Sequence, residues 1–191
     1  MKTLSDFEEK LILKRALAKE AFSEIYDFYI IRIFRFIYLK TSSKETAEDL
    51  ASEVFLKYWK RIKEGMEDES LGEVISNDKT KSFLYKIARN LIIDFYRKKE
   101  FPTVEIDSDI KDKIQDQKQD ILAYISAKQE VEEMMEALRK LKGEYCEIII
   151  LRYVEELSIL EIAEIIGKSS GSVRVQLHRA TKALKSVASI K

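Results

Sequence analysis

The sequence predicts an all-α protein of two small helical domains joined by an acidic linker, the C-terminal domain being a helix-turn-helix unit. Three observations predict it. Only five glycines and one proline, Pro102, interrupt 191 residues of which 36% are charged, so long helices meet few breakers. Apolar residues recur at helical intervals through most of the chain, and no alternating strand pattern of useful length is present. Charge is segregated although the formal net charge is zero. Lys81 to Lys99 carry six basic residues against one acid, Asp94, and residues 100–136 carry eleven acids against four lysines. Lys168 to Lys191 then carry six Lys or Arg and no Asp or Glu. Two basic surfaces separated by an acidic stretch suit an anionic polymer as partner.

Residues 4–62 read as three helices. Leu11, Leu17, Phe22, Ile25 and Phe28 set a helical period that leads into the aromatic-rich YIIRIFRFIYLK. Ser42 and Glu45 have capping-box spacing and open the next helix, whose apolar stripe is Ala47, Leu50, Val54, Tyr58 and Ile62, with Trp59 at its flank. Between Glu64 and Thr80 the pattern dissolves into the polar EGMEDESLGEVISNDKT, a loop. A helix over Ser82–Lys98 follows, with Leu84, Ala88, Leu91 and Phe95 on one stripe and Lys86, Arg89, Asn90, Arg97 and Lys98 outward. Asp94 has the spacing to pair with Arg97 or Lys98.

Residues 100–118 form the acidic linker, too polar to bury much surface. Helical periodicity resumes near Asp120 and runs to Leu141, and Glu144–Glu155 reads as a further helix. The domains expected are therefore 1–99 and 119–191. In the stretch that closes the second, Ser158 and Glu161 make a capping box, Ile162, Ile165 and Ile166 recur at helical spacing, and Gly167 stands where a helix terminates. Ser169 is placed to cap a second helix with Val173, Leu177, Ala180 and Leu184 inward. Its opposite face carries Arg174, His178, Arg179, Lys182 and Lys185. A basic helix entered by a short turn is the footprint of major-groove DNA binding.

Several classes of function are disfavoured. The chain has no Gly-rich phosphate loop, no H-E-x-x-H, no paired Cys or His ligand set and no nucleophile elbow. The single histidine, His178, has no companions, so neither enzyme activity nor any metal or cofactor is expected. Cys146 is the one cysteine, within an apolar helical run, and reads as a small buried hydrophobe in a reducing compartment. The N-terminal MKTLSDFEEK lacks a signal-peptide core, and the apolar stretch Tyr29 to Leu39 is interrupted by Arg32 and Arg35. A cytoplasmic protein without membrane insertion is the expectation.

With these segments in order, the chain resembles the bacterial RNA polymerase sigma factors of the extracytoplasmic function (ECF) group. EAFSEIYDFY, AEDLASEVFLKYWKRI and FLYKIARNLIIDFYRK match signature stretches of the family's first domain, region 2. LRYVEELSILEIAEIIGKSSGSVRVQLHRATKAL matches its promoter-binding domain, region 4. The resemblance implies a dissociable subunit that directs core RNA polymerase to particular promoters, helps to open them, and is controlled by an anti-sigma factor. On the acidic helix, Asp49, Ser52, Glu53, Leu56 and Trp59 would dock on the polymerase; Ser52 departs from the family's usual glutamine.

In the resemblance, the Ser82–Lys98 helix reads the −10 element. Lys86, Arg89, Asn90, Arg97 and Lys98 suit contacts along the DNA, and Phe83, Tyr85 and Tyr96 are candidates for stacking unpaired bases, with Phe95 assigned to the core. Asn77, in the preceding loop, has the donor and acceptor needed to read a flipped base. For the −35 element, Ser169, Ser170 and Gly171 would offer backbone N–H groups to a phosphate, and Ser172 a hydroxyl. Arg174 suits guanine, Gln176 adenine and Val175 a thymine methyl, while His178, Arg179 and Lys182 extend the face. Val175 and Gln176 stand where the family often has a polar residue and an arginine. The competing reading is a conventional helix-turn-helix regulator that binds an operator unaided. The basic helix in the first domain argues against it, since a sensor domain has no need of a second DNA surface.

Overall fold

A computed structural model of the chain describes residues 6–67, 77–100 and 136–188 and, within them, the side chains of 17–65, 80–98 and 136–187. Every regular element among the described residues is helical. The chain divides into two compact units, Met1–Ile92 and Ile93–Lys191, each taken by itself below. The expected linker, 100–118, lies outside the described residues apart from Glu100.

The first unit begins with one helix where the periodicity suggests two: α1 runs without interruption over Asp6–Thr41. Its sequence holds no glycine or proline to break it, and its two apolar segments share one continuous buried stripe of Ala18, Ile25, Tyr29, Ile33, Phe36 and Ile37. That stripe leaves Leu17 and Phe28 exposed, contrary to the pattern set out above. The Phe28 ring instead meets Tyr29 edge-on at 4.9 Å and lies under the Arg32 guanidinium at 4.8 Å.

At the end of α1, Ser42 adopts φ 54°, the left-handed conformation that closes a helix, and donates its N–H to Tyr38 O at 2.8 Å. Ser42 is therefore the exit from α1 and not a cap for the next helix. The cap is Ser43, whose Oγ accepts from the Thr46 N–H at 3.3 Å. Helix α2, Lys44–Glu67, thus starts one residue later than the capping-box spacing implies. The short reversal folds α2 back onto α1 as an αα-hairpin. Ala47, Ala51, Val54, Phe55, Tyr58 and Ile62 are buried along α2, while the expected Leu50 is only half-buried.

Helix α3 spans Asn77–Glu100, so the expected loop is narrower than Glu64–Thr80. Residues 64–67 belong to α2 and 77–80 to α3, and 68–76 lie outside the described residues. Leu84, Tyr85, Ala88, Leu91 and Ile92 are buried along α3. Aromatic contacts dominate this unit: Phe22 against Trp59 at 4.9 Å, Tyr26 against Phe55 at 4.7 Å and Phe36 against Tyr85 at 5.5 Å. Large rigid rings at such distances contribute roughly 0.5–1.5 kcal/mol per pair beyond their buried area.

One buried polar contact ties α2 to α3: the hydroxyls of Tyr58 and Thr80 meet at 3.1 Å. Burial pushes the Tyr58 phenol above its ordinary pKa, the bond to Thr80 opposing the shift. The phenol therefore stays protonated in a site where phenolate would be poorly solvated. Tyr58→Phe is expected to lower stability by about 1 kcal/mol, because a buried hydroxyl loses a partner while the ring packing stays. Chemical denaturation followed by far-UV circular dichroism checks it.

In the second unit, residues 136–139 are helical, and α4 follows over Gly143–Ile149. The expected helix to Glu155 is not regular throughout. From Ile150 to Val154 the backbone widens into a π-helical turn, with the Glu155 N–H reaching Ile150 O and the Leu157 N–H reaching Leu151 O, each at 3.0 Å. Ile148, Ile149, Ile150 and Leu151 are all buried, so four successive side chains face protein on every side. Cys146 is a buried thiol. Helices α5, Ile159–Ile166, and α6, Ser170–Ala188, complete the unit, with α6 packed on α4 and α5.

Candidate nucleic-acid interface

The turn between α5 and α6 is built by local chemistry. Ser158 Oγ accepts from the Glu161 N–H at 3.2 Å and Glu161 Oε2 accepts from the Ser158 N–H at 2.7 Å, a complete capping box. Arg152 holds the approach to α5 by donating to Leu157 O at 2.8 Å. Gly167 ends α5 at φ 67°, and the Lys168 N–H returns to Ala163 O at 3.0 Å. An added Cβ at Gly167 would meet nothing within 4 Å, so the conformation alone demands glycine. Gly167→Ala is expected to destabilise this unit by about 1 kcal/mol, read as a fall in thermal midpoint of about 4–8 °C for a unit of this size.

Ser169 caps α6, its Oγ accepting from the Ser172 N–H at 3.2 Å. The helix is anchored by Val173 and Ala180, both fully buried, with Leu177 and Leu184 half-buried. This seating turns Gly171, Ser172, Arg174, Val175, His178, Arg179, Lys182 and Lys185 to solvent. Arg174, Lys182 and Lys185, with His178 between them, recur at intervals of three and four and so form one basic stripe along the helix. No acid lies on α6 to neutralise it.

Gln176 differs from its neighbours. Its Oε1 accepts from Lys168 Nζ at 3.1 Å and its Nε2 donates to Glu144 Oε2 at 3.3 Å, while Lys168 Nζ stands 3.7 Å from the same carboxylate. The amide is engaged on both sides by a neighbouring helix and the turn. Sequence reading passed over Glu144 and Lys168 in this role, because Glu144 lies on another helix and no local spacing links it to Gln176.

On α3, Lys86, Asn90, Arg97 and Lys98 are exposed and Arg89 is half-buried. Asp94 pairs with Arg97 at 2.9 Å, the partnership its spacing suggests, though an exposed pair contributes little stability. The candidate stacking aromatics separate. Tyr96 is 40% exposed and Phe83 is half-buried against Tyr58 at 6.2 Å. Tyr85 has 0% exposure and packs against Phe36, so it is a core residue and offers no face to a base. Phe95, assigned to the core, is half-buried. Asn77 is the first residue of α3 and not part of a loop; its side chain is outside the described residues. Ile93, which the stripe pattern did not single out, is 46% exposed.

The residues expected to meet the polymerase lie on α2. Asp49, Glu53 and Leu56 are exposed, Leu56 at 61%. Ser52 is half-buried and returns its hydroxyl to Glu48 O at 2.8 Å. Trp59 is half-buried, with its ring against Phe22 and Lys63 Nζ over it at 5.6 Å. Among the described residues, no cluster of His, Cys, Asp or Glu is gathered as for a metal, and no helix is long and apolar enough to cross a membrane.

The family model described as Sigma-70, region 4 matches residues 131–184, the stretch that holds α4, α5 and most of α6. The RNA polymerase sigma factor YlaC of Bacillus subtilis is 30% identical over 170 residues, covering 87% of this chain and 91% of YlaC. The ECF RNA polymerase sigma factor SigX of the same organism is 30% identical over 173 residues, covering 87% of this chain and 83% of SigX. BldN of Streptomyces coelicolor, also an ECF RNA polymerase sigma factor, is 28% identical over 176 residues; the match spans 91% of this chain and 63% of BldN. Among solved structures, the fold is similar to the sigma factor RpoE from Bartonella quintana, in complex with the anti-sigma factor NepR. That match has a TM-score of 0.62 at 22% identity and covers 89% of this chain and 98% of RpoE. CnrH, in complex with the cytosolic domain of CnrY, gives a TM-score of 0.64 at 18% identity, over 95% of this chain and 97% of CnrH.

Proposed function

The chain belongs to the ECF group of RNA polymerase sigma factors, and from that premise we propose how its surfaces divide the work of promoter recognition. Helix α6 enters the major groove of the −35 element. Its N-terminus, at Ser169, Ser170, Gly171 and Ser172, holds a phosphate, Arg174 and Val175 meet base edges, and His178, Arg179 and Lys182 follow the backbone. Gln176 takes part through the Glu144–Lys168 pair that holds it.

Helix α3 engages the −10 element. Lys86, Arg89, Asn90, Arg97 and Lys98 contact that DNA, and Phe83 and Tyr96 hold bases of the opened strand. Asn77 is assigned to a flipped base. Asp49, Ser52, Glu53, Leu56 and Trp59 on α2 dock on core RNA polymerase. RNA synthesis itself stays with the polymerase, in the cytoplasm, and an anti-sigma factor masks these faces when the subunit is idle. The observation that carries the reading is the presence of two cationic helix faces, on α3 and α6, with an acidic face carrying the exposed Leu56 on α2.

Co-migration of the purified protein with bacterial core RNA polymerase on gel filtration at moderate salt tests it, and a stoichiometric complex is expected. A protein that ignores polymerase and shifts duplex DNA by itself as a symmetric dimer would overturn the proposal in favour of a conventional regulator.

A further inference from the structure

Helix α1 carries a second seam besides the one it buries. Leu17, Ala21, Glu24, Phe28, Ile31 and Arg35 follow one another at alternating intervals of four and three, the spacing of a coiled-coil seam. Leu17 stands one residue before Ala18, Glu24 before Ile25, Phe28 before Tyr29 and Arg35 before Phe36, and the second residue of each couple is buried. The seam therefore lies about 100° round the helix from the buried face. Leu17 is 61% exposed, Phe28 58% and Ile31 49%, even with the Arg32 guanidinium over the Phe28 ring. Exposed apolar residues scattered singly are ordinary, but these three share one line of one helix. A helix that packs through a single stripe has no need of a second apolar one.

Charge complementarity decides the occupant. Glu24, exposed, lies one turn before Phe28, and Arg35, half-buried, lies one turn after Ile31. A second copy of α1 laid antiparallel, with a two-fold axis between Phe28 and Ile31, meets its own complement. Phe28 then packs on the partner's Ile31, and Glu24 faces the partner's Arg35 at both ends of the contact. A parallel copy would instead set the two Glu24 carboxylates together and the two Arg35 guanidiniums together. We propose that the protein, when not bound to polymerase, forms a two-fold dimer through this seam of α1. The contact uses the same patch on both copies, so it closes at two chains. Phe28 and Ile31 supply the affinity, while the ion pairs, reached by water, set the orientation. An interface centred on two apolar side chains from each copy is at the small end of the size range, so the dimer is weak and depends on concentration. None of the six seam residues is assigned above to polymerase or to DNA, and the inference stands apart from the sigma reading.

Sedimentation equilibrium of the full chain at low salt, from micromolar to submillimolar concentration, tests it. The mass is expected to rise from one chain to two across that range. Phe28→Ser is expected to weaken association about 30-fold, equivalent to about 2 kcal/mol. Glu24→Arg and Arg35→Glu are each expected to weaken it about tenfold or more, because each sets like charges together at both ends. Mixed in equal amounts, those two single variants are expected to associate with each other, since every end then joins unlike charges. Far-UV circular dichroism checks that each variant is folded. Should Arg35→Glu fail that check, Phe28→Ser and Glu24→Arg decide, both residues being exposed. A chain that stays single throughout the range would overturn the proposal and leave the seam to a different protein. So would a dimer unmoved by Phe28→Ser and Glu24→Arg, which would put the interface elsewhere, or folded charge variants that associate no better together than apart. Co-migration with polymerase is read in a separate experiment, so failure of the sigma reading is a distinct result.

Discussion

Arg174→Ala is expected to abolish transcription that depends on a −35 element while leaving the complex with core polymerase intact. Arg174 is exposed one turn into α6, where the capped end of the helix would bring its guanidinium to the floor of the major groove. A bidentate contact to guanine discriminates by about 1–3 kcal/mol against the wrong base, roughly five- to 150-fold in affinity. The side chain has no place in the hydrophobic core, so its loss leaves the seating by Val173 and Ala180 unchanged. Lys182→Ala is the contrasting control: it should weaken binding alike on all sequences and lower the salt slope by about one unit. In vitro transcription on promoters with intact and scrambled −35 elements, beside gel filtration with polymerase, measures both. Equal loss of polymerase binding and −35 dependence in Arg174→Ala would refute the division of labour between α6 and α2.

The converse result is expected from Asp49→Ala combined with Glu53→Ala. Both carboxylates are exposed one turn apart on α2, and Leu56 beside them presents the apolar centre that a protein interface requires. Glu53 meets Lys57 at 3.4 Å between half-exposed side chains, a weak pairing that a polymerase cation displaces at little cost. At more than about 1 kcal/mol for each interface residue that matters, the double variant should weaken the polymerase complex roughly 30-fold or more. Folding should be untouched, since the buried face of α2 is formed by Ala47, Ala51, Val54, Phe55, Tyr58 and Ile62. Titration of labelled protein with core polymerase reads the change, and undiminished affinity would withdraw the docking assignment.

Legibility from sequence followed the range of the interaction. The Ser158 capping box, the Gly167 terminus and the Ser169 cap were all readable, because each is made by groups within a few residues of one another. The same local logic misplaced the start of α2 by one residue. Ser42 and Ser43 are both competent caps, and the choice between them was made by the left-handed exit from α1. The Asp94–Arg97 pair was readable at helical spacing, whereas the Glu144–Lys168–Gln176 cluster joins parts of the chain that no spacing rule connects.

Burial along α1 and α3 shows the other limit. Periodicity alone identified a helix bearing Tyr85 and Tyr96 but left both as stacking candidates. Packing against Phe36 took Tyr85 into the core and left Tyr96 at the surface. Likewise Phe28 fits an apolar period yet is exposed, since the stripe through Ile25, Tyr29 and Ile33 is the one that α1 buries. Helical class, the order of the segments, the capped turn and the cationic face of α6 were written in the chain itself, because backbone hydrogen bonds, caps and charge spacing act over one or two turns. Which aromatic rings face solvent, where α1 ends, and that Gln176 is held by Glu144 were decided by tertiary packing, because those outcomes depend on surfaces that meet only once the helices have folded together.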